Sequence, residues 1–187
     1  GYKLMSIEVE VKLKIHDKEQ LENHLKQQGF TAGRLVVETD IYYTAAHHDF
    51  AKLDEALRIR TVKDQISGKE TAVITFKGAK LDQVSMTRQE LETEVGDAKT
   101  VRKILESIGF QPVIPVEKQR QYFHHENMTA CSDSVKGLGD YLELEILTDS
   151  EESRTAALQK IEDTLKQLGY SMQETTRTSY LSMLLKK

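Results

Sequence analysis

A chain of 187 residues, 39% hydrophobic and 30% charged with only two prolines and ten glycines, has the composition of a folded domain and not of a disordered one. Its net charge of -4 excludes a general nucleic-acid binder while leaving room for a local cationic pocket. The single Cys131 excludes an internal disulfide, and no apolar run approaches membrane-spanning length. With no charged-then-apolar leader ahead of the first strand, the expectation is one cytoplasmic domain over residues 1–187, with neither nucleic acid nor membrane as partner.

From Ile7 to Ile15 apolar and charged residues alternate strictly, the signature of a half-buried strand. Ile7, Val9, Val11, Leu13 and Ile15 take one face; Glu8, Glu10, Lys12 and Lys14 take the other. Asp17 predicts the cap of a helix with Leu21, His24, Leu25 and Gln28 inward, ended by Gly29. Arg34 to Tyr43 reads as strand and Thr44 to Lys52 as loop. Ala56 to Val62 alternates again with Arg58 and Arg60 on its polar face, and Ser67-Gly68 turns into a second arm, Thr71 to Lys77. Arg88 to Val95 puts Arg88, Glu90, Glu92 and Glu94 on one face. Asp97 then caps a helix with Val101, Ile104, Leu105 and Ile108 inward, ended by Gly109.

Pro112 and Pro115 lead into a strand, Val116 to Phe123, carrying Lys118, Arg120 and Tyr122 on one side. The strand around Met128 to Val135 holds Asp133, and Asp140 to Leu147 alternates as cleanly as the opening strand, with Glu143 and Glu145. Asp149 or Ser150 starts a longer helix with Leu158, Ile161, Leu165 and Leu168 inward, ended by Gly169. A terminal amphipathic segment, Ser179 to Leu185, could cap the core through Leu181, Met183, Leu184 and Leu185 or join a second copy as a homodimer. The rhythm of strand, Asp-capped helix and glycine-aromatic stop recurs at Gly29-Phe30, Gly109-Phe110 and Gly169-Tyr170. Hairpin-like links make the sheet largely antiparallel.

Ordinary exposed strands mix threonine, serine and glutamine with their charges, whereas here the alternate positions are nearly all ionic. Interleaved salt bridges on a solvated face would account for some of this. Helices with apolar stripes, however, need the apolar strand faces, so the charged faces point the other way. Curling the sheet into a barrel gathers them into a lumen of both signs. Lysines and arginines there suit phosphate oxygens, and paired carboxylates suit a hard divalent ion such as Mg²⁺ held jointly with those phosphates.

Glu8-x-Glu10-x-Lys12 resembles the ExExK signature of the CYTH superfamily, the triphosphate tunnel metalloenzymes. Leu57-Arg58-Ile59-Arg60, Thr75-Phe76-Lys77-Gly78, Arg88-x-Glu90-x-Glu92, Glu117-Lys118-Gln119-Arg120, Asp133 with Gly137-Leu138-Gly139, and Tyr141-x-Glu143-x-Glu145 follow in the family's order. The resemblance implies an α+β fold: a closed eight-stranded antiparallel barrel with helices packed outside, binding a triphosphate and Mg²⁺ or Mn²⁺. It implies Glu8, Glu10, Glu143 and Glu145 as metal ligands, with Glu92 and Asp133 as further contributors. Lys12, Arg58, Arg60, Lys77, Lys118 and Arg120 would hold the phosphates. The Glu-Lys-Gln-Arg stretch, the Gly-Leu-Gly-Asp-Tyr run and the terminal Ser-Tyr-x-x-x-Leu-Leu are most similar to class IV adenylyl cyclases, which turn ATP into cyclic AMP and pyrophosphate. In that reaction Lys12 belongs to the catalytic set, Lys118, Arg120 and Lys77 stabilise the departing pyrophosphate, and Asp133 orients or deprotonates the attacking hydroxyl. Triphosphatases acting on tripolyphosphate, thiamine triphosphate or a nucleoside triphosphate share the same machinery, and a non-catalytic binder of polyphosphate or nucleotide is the third reading.

Overall fold

The computed structural model describes residues 6–187. Ten strands are β1 (Ser6–Lys14), β2 (Thr31–Ala45), β3 (Ala56–Asp64), β4 (Glu70–Lys77), β5 (Arg88–Glu94), β6 (Phe110–Pro112), β7 (Val116–His125), β8 (Met128–Val135), β9 (Gly139–Thr148) and β10 (Thr175–Thr176). Five helices are α1 (Lys18–Gln27), α2 (Phe50–Leu53), α3 (Ala98–Ser107), α4 (Glu151–Gln167) and α5 (Tyr180–Leu185). Eight strands close into an antiparallel barrel in the order β1-β5-β4-β3-β2-β7-β8-β9, β9 pairing back onto β1. β6 adds to β2 and β10 to β1, outside that ring.

The alternation of β1 decides which way the barrel faces. Val9, Val11 and Leu13 are fully buried on its outer side, against Leu21 and Leu25 of α1 and Ile161 and Leu165 of α4, with Leu142, Leu144 and Ile146 of β9 beside them. Asp17 and Ser150 cap those two helices through Gln20 N (3.0 Å) and Ser153 N (3.3 Å). Gly29 and Gly169 end them at φ of 94° and 89°, a backbone that side chains resist. The main apolar core therefore lies outside the barrel on the β8-β9-β1 side, and the inside is left to the charged residues.

The opposite wall differs from expectation. The apolar stripe of α3 is not buried: Ile104 and Ile108 are 54% and 61% exposed, because the helix rests on β6 and β3 by the edge carrying the half-buried Val101 and Leu105. Gln28 also stays exposed rather than joining the inner face of α1. β2 is longer than the alternation suggested, and the segment read as a loop holds its end plus α2, which buries Phe50. The terminal segment takes its capping role. Leu181, Met183 and Leu184 pack against Val116, Val135 and Tyr141 across one end of the barrel.

Among the described residues β1 pairs with β5 over Ser6–Glu8, after which its edge is taken by Met86 N on Glu10 O (2.9 Å) and by β10 opposite Lys12 and Leu13. Arg177 ties this patch together by donating to Ser85 O (3.1 Å) and Asp82 O (2.7 Å). The C-terminal residues are thus part of the barrel wall. Because the apolar core lies on one side of the barrel, Leu144→Ala is expected to cost about 3 kcal/mol in denaturant unfolding, whereas Ile104→Ala stays within about 0.5 kcal/mol. Equal costs for the two would contradict this placement of the core.

Candidate active site

Closing the barrel puts every second residue of its strands inside. Cross-strand register then decides which charges meet. Glu10 lies opposite Glu145, Lys12 opposite Glu143, Arg120 opposite Asp133, and Asp40 opposite Arg60.

One wall is acidic. Carboxylate oxygens of Glu8, Glu10 and Glu145 lie within 4.8 Å of one another. Burial, then the charges of Glu143 and Glu8, push the Glu10 carboxyl well above the usual range. Burial, then Glu8, lifts Glu145 to about 8. Glu8 shares the burial, but Lys77 at 3.0 Å and neighbouring carboxyls hold it at about 2. Glu90 joins the group: burial and Glu8 raise it to about 9, and its Oε2 is buried without a partner. An all-oxygen set whose members resist ionising together is one that a hard divalent cation suits, so these residues fit Mg²⁺ or Mn²⁺.

The facing wall is basic, and much of it is already neutralised. Arg60 donates to both oxygens of Asp40 at 2.7 and 2.9 Å, and Lys118 Nζ reaches the same carboxylate at 2.8 Å. Glu38 Oε1 sits 3.4 Å from Arg60, 3.4 Å from Lys118 and 3.6 Å from Arg120. Burial opposes the charge of Asp40 and Glu38, yet Arg60 and the neighbouring cations hold Asp40 well below the usual range and Glu38 at about 2. Arg120 grips Asp133 with two bonds of 2.7 Å and also bonds Glu143.

Two cations stand apart. Arg58 is buried, its Nε has no partner, and Glu92 is 3.8 Å away. Lys12, also buried, has no carboxylate within 4.0 Å among the described residues; its ammonium lies over the ring of Tyr180, 3.8 Å from the centroid. A cavity of about 640 Å³ is lined by Glu10 and Glu143 from the acidic side and by Lys12, Arg58, Arg60, Lys77, Lys118 and Arg120 from the basic one, enough room for a nucleotide-sized ligand. Phe50, Leu57, Val113 and Leu181 contribute apolar lining to the same cavity.

The residues expected to bind metal therefore divide. Glu8, Glu10 and Glu145 meet. Glu143 and Asp133 are close by but engaged with Arg120, and Glu92, 44% exposed, accepts a 2.6 Å bond from Thr75 Oγ1. Of the six expected phosphate ligands, Lys77 is on Glu8, Arg60, Lys118 and Arg120 are on carboxylates, Arg58 makes only long contacts with Thr75 Oγ1 (3.4 Å) and Glu92 (3.8 Å), and Lys12 has no carboxylate within 4.0 Å among the described residues. Sequence reasoning missed Glu38 and Asp40. The signal was present as Glu38-x-Asp40-x-Tyr42, but adjacent Val36-Val37 broke the alternation that marked the other strands. Tyr180 stands in the sequence as part of an amphipathic terminus and of the Ser-Tyr-x-x-x-Leu-Leu run, neither of which assigns it to the lumen.

The raised carboxyls give the metal-free protein a defined pH response. Glu145 and Glu90 bind protons in the folded state up to about 8 and about 9, against an ordinary value of 4.5. Their contribution is fully present below 4.5 and lost as pH rises through 8 to 9. Without metal, Tm is expected to fall from pH 5 to pH 9; millimolar Mg²⁺ or Mn²⁺ should remove most of that fall, with proton release on binding seen by calorimetry in two buffers. A slope unchanged by metal would place the ions elsewhere.

Comparison with known proteins agrees with the barrel. The CYTH domain family model matches residues 6–180. The Methanocaldococcus jannaschii protein MJ0240, which carries the provisional name of adenylate cyclase, is 36% identical over 177 residues, covering 95% of this chain and 98% of that one. Adenylate cyclase CyaB of Aeromonas hydrophila is 27% identical over 146 residues, 78% of this chain and 71% of that one. Among solved structures, the PH1819 protein of Pyrococcus horikoshii superposes with a TM-score of 0.87 at 34% identity, over 96% of this chain and 98% of that one.

Proposed function

The chain belongs to the CYTH domain family, and from that premise we propose that it is a metal-dependent enzyme acting on a triphosphate, best read as an adenylyl cyclase that forms cyclic AMP and pyrophosphate from ATP. The observation that carries the reading is that Glu10, a member of the acidic cluster, lines one cavity together with Lys12 and Arg58, buried cations that lack a tight ion pair. A protein that only bound anions would gain little from Glu8, Glu10 and Glu145 beside the phosphates.

A divalent ion held by Glu8, Glu10 and Glu145 would neutralise phosphate charge and acidify a hydroxyl bound beside it. Lys12 and Arg58 take the triphosphate first, because Lys12 has no carboxylate to leave and Arg58 only the 3.8 Å contact with Glu92. Lys118, Arg60 and Arg120 are held as a preorganised set by Asp40, Glu38 and Asp133, so their positive field is aimed before substrate arrives. The ATP 3′-hydroxyl attacks the α-phosphorus, and the bond to the bridging oxygen of the β-phosphate breaks. Negative charge grows on the departing pyrophosphate, where Lys118, Arg120 and Lys77 oppose it. Asp133 accepts two bonds from Arg120 and one from Tyr180, so we assign it the orientation of Arg120 rather than the hydroxyl's proton. The hydroxyl's proton leaves to water in the cavity.

Incubation with ATP and Mn²⁺, with products separated by chromatography, tests the assignment. Cyclic AMP plus pyrophosphate is expected. Free phosphate would move the reading to a triphosphatase of tripolyphosphate, thiamine triphosphate or a nucleoside triphosphate, and no turnover would leave only a polyphosphate or nucleotide binder. Glu10→Gln is expected to lower turnover by at least about 100-fold while leaving the far-ultraviolet circular dichroism unchanged. Activity retained in that variant would remove the acidic wall from the mechanism.

A further inference from the structure

Lys12 and Glu143 face each other directly across the β1–β9 ladder, inside a buried lumen. Oppositely charged cross-strand neighbours at such a position ordinarily pair. These do not. Glu143 is taken by Arg120, and the ammonium of Lys12 is turned onto the ring face of Tyr180 at 3.8 Å. A desolvated ammonium over a phenol ring keeps its charge and its attraction for anions, because the ring offers a quadrupole and no formal charge to cancel it.

Tyr180 arrives from the far end of the chain, and three contacts fix its ring. Its hydroxyl donates to Asp133 Oδ2 at 2.8 Å, its edge meets Tyr141 at a centroid distance of 5.2 Å, and α5 is anchored by the cap of Ser179 on Ser182 N at 3.1 Å. Burial pushes its phenol well above the ordinary range, so the hydroxyl remains a donor at every working pH. Asp133 is the same carboxylate that holds Arg120 with two bonds. One side chain therefore holds Lys12 uncommitted and also braces the residue that keeps Arg120 on Glu143.

We propose that Tyr180 is a positioning residue: its ring keeps Lys12 free of the lumen carboxylates, so that the lysine meets the phosphates of the substrate without first leaving an ion pair. This deepens the triphosphate reading of the same cavity and rests on it. In a chain lacking the ring, Lys12 would settle toward Glu143, and substrate would have to displace it.

The test is calorimetric binding of inorganic tripolyphosphate, without metal, to the wild-type chain and to Tyr180→Phe and Tyr180→Leu, each also made in a Lys12→Ala background. Tyr180→Phe keeps the ring and loses only the bond to Asp133, and a loss of about threefold is expected. Tyr180→Leu removes the ring, and a loss of about thirtyfold is expected, the scale of a desolvated cation–ring contact. In the Lys12→Ala background Tyr180→Leu should cost no more than Tyr180→Phe. Thermal melting checks each fold, and Tyr180→Met, unbranched and without a ring, serves in place of Tyr180→Leu where the latter does not fold. Equal losses for the phenylalanine and leucine variants, or a thirtyfold loss that persists without Lys12, would overturn the role of the ring while leaving triphosphate binding standing. A wild-type chain that binds no tripolyphosphate would overturn the triphosphate reading and this inference with it.

Discussion

The structure depends on how ionised groups are tolerated inside a closed barrel. A buried charge is costly unless an opposite one is close and well aimed, and a closed sheet gives its inward residues no route to solvent. Antiparallel register answers this by setting Asp40 opposite Arg60 and Asp133 opposite Arg120, so that planar guanidinium groups meet carboxylates edge to edge. Lys118 then shares Asp40, and Glu38 sits among three cations. The apolar faces of the same strands supply the compensating burial outside, against α1 and α4. Inside and outside are two consequences of one alternation.

Neutralisation is not complete, and the places where it fails have chemical meaning. Glu8, Glu10 and Glu145 meet without enough cations, so burial and mutual repulsion push the Glu10 and Glu145 carboxyls up, a strain that a divalent ion would relieve. Lys12 and Arg58 lie buried without tight carboxylate partners. A surplus of negative charge on one wall and loosely paired positive charge on the other suits the metal–triphosphate ligand proposed above. The C-terminal segment contributes to both barrel and site: β10 and Arg177 complete the β1–β5 seam, and α5 brings Tyr180 into the lumen. The chain's two ends thus share the wall on which Lys12 stands.

Much of this was legible in the sequence, for physical reasons that can be named. Strict alternation in β1 and β9 gave Glu8, Glu10, Lys12, Glu143 and Glu145 a common face, and the arginines of β3 and β7 stood out by the same rule. Glu38 and Asp40 escaped because Val36 and Val37 are adjacent apolar residues, which hides period two. Nothing in the sequence separates Glu90 from Glu92, since both point inward; only register sets Glu90 beside Glu8 and Glu92 beside Thr75 at the more open edge. Helical periodicity in α3 predicted a buried stripe, yet tertiary placement left Ile104 and Ile108 exposed. The pairing of Lys12 with an aromatic ring depends on chain reversal at the C-terminus, which no local pattern encodes.

Anomalous diffraction from crystals grown with Mn²⁺ and a non-hydrolysable ATP analogue can locate the divalent ion and the triphosphate in the one lumen. A manganese peak coordinated by carboxylate oxygens of Glu8, Glu10 and Glu145 is expected, with phosphate oxygens in contact with Lys12 and Arg58. Manganese away from these carboxylates, or phosphates bound outside the barrel, would contradict the metal–triphosphate reading.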